Sequence, residues 1–190
     1  MNTHSHFLMT AVLDRACCRV PIVKSAFLMG SVAPDLPLWL LSIGGLLYYR
    51  YFLGWETAAA FQRMFDELFF QNPLWIVPHN VLHAPLVLLA GLGIVWRTRR
   101  NIGSRSRWCF WFFVACLLHS GVDILTHVDD GPLIFFPFDW QTRFQSTVSY
   151  WDDRHHAQRF QVFEQTANLV FLLYLLIPCW YRWFRQVVRH

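Results

Sequence analysis

The sequence predicts an all-α, polytopic membrane protein. Three features carry that expectation: 55% hydrophobic and 18% aromatic content, a mean hydropathy of +0.31, and arginines gathered at the ends of apolar runs. A soluble domain of 190 residues is ordinarily less apolar. One membrane-embedded domain spanning 1–190 accommodates the length. The net charge of +4 builds no basic, aromatic-interleaved surface, so nucleic acid is not an expected partner. The five cysteines form no CxxC and support neither a disulfide framework nor a thiolate zinc site.

Taken in order, residues 7–18 and 20–32 are apolar but short, and are expected to form a helical hairpin that dips into the membrane and returns. The opening Met-Asn-Thr-His-Ser-His has no basic n-region, so no removed signal peptide is expected. Residues 36–53 contain Gly44-Gly45 and a Tyr48-Tyr49-Arg50-Tyr51 belt, as an interfacial or re-entrant helix does. Residues 56–70 read as an amphipathic outer helix stopped by Gln71-Asn72-Pro73. The runs 74–96 and 108–125 are long enough for a hydrocarbon layer of about 30 Å, and 167–181 is a third span.

Basic residues set the orientation. Arg15, Arg19 and Lys24 at the hairpin bend, Arg97, Arg99, Arg100, Arg105 and Arg107 between two spans, and Arg182, Arg185 and Arg189 after the third are 11 of the 16 basic residues. The positive-inside rule makes all three segments cytoplasmic. The segment 128–164, with more acid than base, then lies outside, as do Asp35 and the start of the chain.

Ionisable groups inside apolar helices cost several kcal/mol each (order of magnitude) unless paired or liganded, so they mark function. His79 and His83 are four apart, and His119, Asp123 and His127 repeat that spacing. Residues four apart share a helix face. Two nitrogens or oxygens on successive turns can reach one ion at about 2.0–2.2 Å. Histidine and carboxylate without thiolate suit zinc first, then manganese or iron. His79, His119 and Asp123 are the expected ligands, with His83 and His127 as further ligands or as groups that orient them. Asp35 stands between Pro34 and Pro37, on a rigid exit that fixes one carboxylate. His4 and His6 are two apart, so a helix can aim only one of them inward. In the outer segment Asp130 and His155, with His127 nearby, are candidates for general acid–base work, and Asp152 is a weaker one.

Thr3-His4, Pro34-Asp35 after a small-residue helix, the His79 motif opening a span, and His119-x-x-x-Asp123 before Phe136-Pro137-Phe138 occur in an order that resembles the bacterial membrane-bound, predicted metal-dependent hydrolases. That family includes an inner-membrane LexA-binding member and is similar in motif order to zinc-dependent phospholipase C proteins. The resemblance covers roughly residues 3–155. It implies a metal held by His4, Asp35, His79, His119 and Asp123 on a helical scaffold in the inner membrane. The chain departs from the pattern at Pro37, where many members carry another acid, and in the context of His79-Asn-Val-Leu-His83.

The expected function is that of a divalent-metal-dependent hydrolase at the outer surface of the inner membrane, acting on a lipid or a lipid-linked phosphodiester or ester. The alternative is a non-catalytic, metal-stabilised scaffold with a protein partner. A haem carrier explains the histidines but not Asp35 and Asp123.

Overall fold

The computed structural model describes residues 1–98 and 103–187. Arg99, Arg100 and Arg189 of the basic segments lie outside these. The fold is helical, and among the described residues the only β-type pairing is an isolated bridge between Leu133 and Arg143.

The N-terminal hairpin consists of α1 (Thr3–Ala16) and α2 (Lys24–Gly30). Its bend meets the basic ends of two long helices. Trp111 Nε1 donates to the Pro21 carbonyl at 3.1 Å, and Arg15 donates to the carbonyls of Tyr174 and Leu175 at 3.2 and 2.9 Å. The hairpin bend therefore shares one end of the molecule with the start of α8 (Gly103–Thr126) and the later turns of α9 (Ala157–Val187).

Among the described residues two helices are long and apolar enough to cross a membrane, Arg105–Thr126 and Ala157–Ile177. A bent pair, α6 (Pro73–Val81) and α7 (Pro85–Thr98), meets at 43° and is together apolar enough for one broken span or a re-entrant loop. The expectation of one continuous helix over 74–96 fails at residues 82–84, because Pro85 has no N–H to donate and disfavours helical geometry in the residue before it. Only 11% of the apolar window in α9 is buried by protein, and Val162, Phe163, Leu169 and Val170 are bare. Such a surface is stable against lipid, where a helix satisfies its own backbone.

Between hairpin and bent pair lies an insert. It comprises α3 (Leu36–Leu47), a π-helical turn (Tyr48–Phe52), α4 (Thr57–Gln62), a second π-helical stretch (Arg63–Leu68) and the short α5 (Phe69–Gln71). Its core is Met64, Phe69 and Trp75, against which Leu38, Leu41, Leu46 and Tyr49 pack. A Cβ on Gly45 would fall 2.5 Å from Met64 Sδ, so glycine sets how closely α3 approaches. A second cluster, Ile76, Ala84, Leu133 and Phe136, seats the loop between α8 and α9 on the α6–α7 break. Asn80 ties the two: its amide donates to the Ile76 carbonyl at 2.8 Å, and its oxygen accepts from the Leu133 N–H at 2.9 Å.

The N-terminus is tied to α9 at the end opposite the basic bend. The Asn2 backbone and side chain donate to the buried Glu164 carboxylate at 2.7 and 2.8 Å, and Asn168 donates to Ser5 at 2.8 Å. Those contacts fix the rotation of α1.

Candidate metal centre

Three segments converge at that end. Asp35 comes from the turn between α2 and α3, His83 from the α6–α7 break, and His119 and Asp123 from successive turns of α8. One donor atom from each lies within 4.8 Å of all the others. The separations are 3.1 Å between the Nε2 atoms of His83 and His119, 3.5 and 3.3 Å from these to Asp35 Oδ1, and 3.4 and 3.0 Å to Asp123 Oδ2. Bonds of about 2.0–2.2 Å to a single ion place neighbouring donors roughly 2.9–3.5 Å apart. All five distances fall in that interval.

The tautomers agree with this. Nδ1 of His83 faces the His79 carbonyl at 3.1 Å and Nδ1 of His119 faces the Ser31 carbonyl at 2.8 Å. A carbonyl only accepts, so both Nδ1 atoms carry hydrogen and both Nε2 atoms turn to the centre. Two imidazole nitrogens 3.1 Å apart, neither able to donate to the other without a second proton, are an awkward pair in a buried place unless a cation lies between them. The group can hold a divalent metal ion.

A surrounding set of bonds steadies these four. His6 is fully buried, stacks on His119 at 3.7 Å and bonds Asp123 Oδ1 through Nε2 at 2.8 Å. The Thr3 hydroxyl donates to Asp35 Oδ2, and Ser120 donates to the His83 carbonyl. The Met1 amino group donates to Asp123 and Thr126 at 3.0 and 2.8 Å.

Of the candidates named from the sequence, Asp35, His83, His119 and Asp123 come together. His79 lines the same cavity, with its ring 4.3 Å from that of His83 and 5.1 Å from Phe69, but its nitrogens stand outside the group and its Nδ1 has no protein partner. The kink turns His83 rather than His79 to the centre. His4 also lines the cavity, but it is exposed and its Nε2 meets the Asn168 amide at 3.2 Å, outside the four-donor group; His6 takes the inward position. Nothing in the spacing of His4 and His6 could choose between them.

Three of the donors, Asp35, His83 and Asp123, line a cavity of about 330 Å³, together with His79 and the apolar Leu38, Trp39, Phe65 and Phe69. His127, Asp130 and Tyr150 complete the rim. His127 donates from Nδ1 to the Asp123 carbonyl at 2.9 Å and packs on Tyr150; burial lowers its pKa, so the ring is neutral. Burial, with the carboxylates of Asp130, Asp123 and Asp35 nearby, raises the Tyr150 pKa and keeps its phenol protonated. Asp130 Oδ2 accepts from Trp151 at 2.8 Å, while Oδ1 is buried without a partner. His155, in a short 3-10 turn (Asp153–His155), does not line the cavity, and Asp152 caps that turn and pairs with Arg154. Tyr150 carried no motif of its own, and His6 was paired with His4 without a signal that singled it out.

No curated protein and no solved structure matches the chain significantly. One family profile does, over residues 1–188, so the helical membrane scaffold and its Asp–His group belong to a member of the YdjM inner membrane protein family.

Proposed function

We propose that this protein is a divalent-metal-dependent hydrolase working at the outer surface of the inner membrane, on a lipid or lipid-linked phosphodiester or ester. Zinc is the preferred ion for two imidazoles and two carboxylates, and manganese or iron suits the same donors. The observation that carries the reading is the convergence of Asp35, His83, His119 and Asp123, from three separate segments, at the spacing of one coordination sphere beside an accessible cavity.

When bound, a divalent ion there polarises a substrate oxygen and brings the pKa of a bound water towards about 7. The chain's own groups do the rest. His6 and Thr3 hold the two carboxylates in orientation. Neutral His127 and protonated Tyr150 stand on the rim as an acceptor and a donor for a proton at a leaving oxygen, and Asp130 lines the same cavity. Asp35 and Asp123 carry two negative charges, which an ion offsets. That leaves the centre near neutral and able to receive an anionic phosphate.

Elemental analysis of the detergent-solubilised protein tests the metal directly. About one equivalent of a transition metal is expected, lost in His83→Ala and in Asp123→Ala but kept in His79→Ala. A metal-free protein, or one whose metal survives both of the first two changes, would overturn the reading.

A second reading is favoured by one observation: the four donors stitch two helix junctions to the continuous helix α8, as a structural ion does. In that case chelation melts the helices at a markedly lower temperature, whereas a hydrolase loses phosphodiester or ester turnover while still folded.

A further inference from the structure

The helix α3 is apolar on every side. Leu38, Leu41 and Leu46 pack inward on the Met64 cluster, while Leu36, Trp39, Leu40, Ile43 and Leu47 form an outward stripe at spacings of three and four, 44–71% exposed. From Leu36 to Tyr49 there is no charged residue. A helix that is hydrophobic all round is covered by protein or by lipid. In a molecule with membrane spans on its other faces, lipid covers this one. With the 5-residue π-helical turn that continues its 12 residues to Phe52, the helix is about 25 Å long, short of a hydrocarbon layer of about 30 Å, so it lies along one side of the layer rather than across it.

Trp39 belongs to both surfaces. It is half exposed on the bare stripe, and it lines the cavity beside Leu38, Phe65 and Phe69. The apolar wall of the cavity is thus continuous with the lipid-facing side of α3. At about 330 Å³ the cavity is near the lower end of the roughly 300–1,000 Å³ of ligand pockets, room for a head group and the beginning of one chain but not for a whole lipid.

We propose that the Leu38–Trp39–Phe65–Phe69 wall is a binding subsite for the first carbons of a long-chain lipid, which enters sideways from the leaflet past Trp39 while its head group meets the Asp–His group. The end of α3 nearest the head group is Leu36, directly after Asp35, so one turn of chain joins the polar and apolar halves of the site. The position given to the head group rests on the proposed hydrolase reading; the chain-binding wall does not.

The test uses the full chain in phosphatidylcholine vesicles containing phosphatidylglycerol with a diazirine close to the glycerol end of one acyl chain. After irradiation, cross-links are mapped by peptide mass spectrometry, with and without prior chelation. Bulk lipid labels the outer stripe and α9 in any case. Phe69 is only 5% exposed, so label on Phe65 and Phe69 reports a chain inside the cavity. Trp39→Phe should retain it. Trp39→Asp should lower it at least about tenfold, since a carboxylate at the entrance opposes passage of a chain. Label confined to the outer stripe and α9 in the wild type overturns the proposal whatever the variants do. Label on Phe65 and Phe69 in a protein that holds no metal keeps the wall and removes the hydrolase; metal without that label does the reverse.

Discussion

The tightest constraint on the candidate centre is a residue with no side chain. Gly30, the last residue of α2, faces α8 so closely that a Cβ there would fall 2.4 Å from the Phe112 carbonyl oxygen and 2.8 Å from Ala115 Cβ. The first of these is backbone and has no rotamer to yield. Gly30→Ala must therefore separate the helices by about 1 Å at this level to reach ordinary contact near 3.4 Å. The next residue, Ser31, accepts from His119 Nδ1 at 2.8 Å. Lengthened by about 1 Å, that contact is no longer a hydrogen bond. Overpacking costs about 1–3 kcal/mol and a buried N–H left without its acceptor about 1–3 kcal/mol, so a loss of roughly 2–6 kcal/mol in stability is expected. The tautomer and aim of His119 loosen as well, and metal affinity should fall about 10–100-fold, as for other groups that orient a ligand. Competition with a coloured chelator measures the affinity, and thermal unfolding in detergent measures the stability. Gly44→Ala is the control, because nothing lies within 4 Å of a Cβ there. If Gly30→Ala binds metal as tightly as the wild type, the coupling of α2 packing to the centre is refuted.

The structure separates the two N-terminal histidines. His6→Ala should weaken metal about 10–100-fold by releasing Asp123 and unstacking His119, and His4→Ala should leave the affinity unchanged; the opposite ranking in the chelator competition would restore the ligand set carried over from the family resemblance. Asn80→Leu fills a similar volume but strands the buried Leu133 N–H, so a loss of about 1–3 kcal/mol is expected in chemical unfolding, and no loss would show that Asn80 does not clamp the loop between α8 and α9. Ser120→Ala removes the donor to the His83 carbonyl; a similar loss of stability accompanied by weaker metal binding is expected, and unchanged binding would count against His83 being held by its backbone. For orientation, the exposed Cys17 and Cys18 at the hairpin bend should resist a membrane-impermeant maleimide in intact spheroplasts and react after permeabilisation, whereas Trp140→Cys in the outer loop should react in both; labelling of the bend in intact cells would invert the topology.

The all-helical membrane character was legible because it depends on quantities that add along the chain. Hydropathy marks where helices cross, and arginine placement pairs their ends. The hairpin over the first thirty residues followed from the same accounting, since no other topology put Asp35 and the later histidines at one end with all the basic bends at the other. The i,i+4 rule served for His119 and Asp123 because α8 runs unbroken through both. At His79 and His83 the same spacing crosses a break, and only His83 joins the donor group. Pro78 and Pro85 were there to be read, but which of two histidines a kink turns inward depends on the bend direction, and packing sets that. The choice of His6 over His4 was out of reach for a related reason. Both flank an apolar helix, and its rotation is fixed by Asn2 on Glu164 and Ser5 on Asn168, contacts that close over about 160 residues of sequence.

Breaking a helix inside a membrane leaves polar backbone without partners, and such breaks are tolerated only where protein or a cavity replaces the lost bonds. Among the described residues two helix interruptions, after α2 and between α6 and α7, each stand beside a proline, and each places one of the candidate donors: Asp35 and His83. The carbonyls at both breaks are satisfied from one turn of α8, that of Ser31 by His119 and that of His83 by Ser120. The turn that supplies a ligand nitrogen thus also makes the irregular backbone affordable. A membrane protein that needed only to pack its helices would gain nothing from two such interruptions facing each other. Their coincidence with the two outlying donors is best understood if holding those donors is what the interruptions are for.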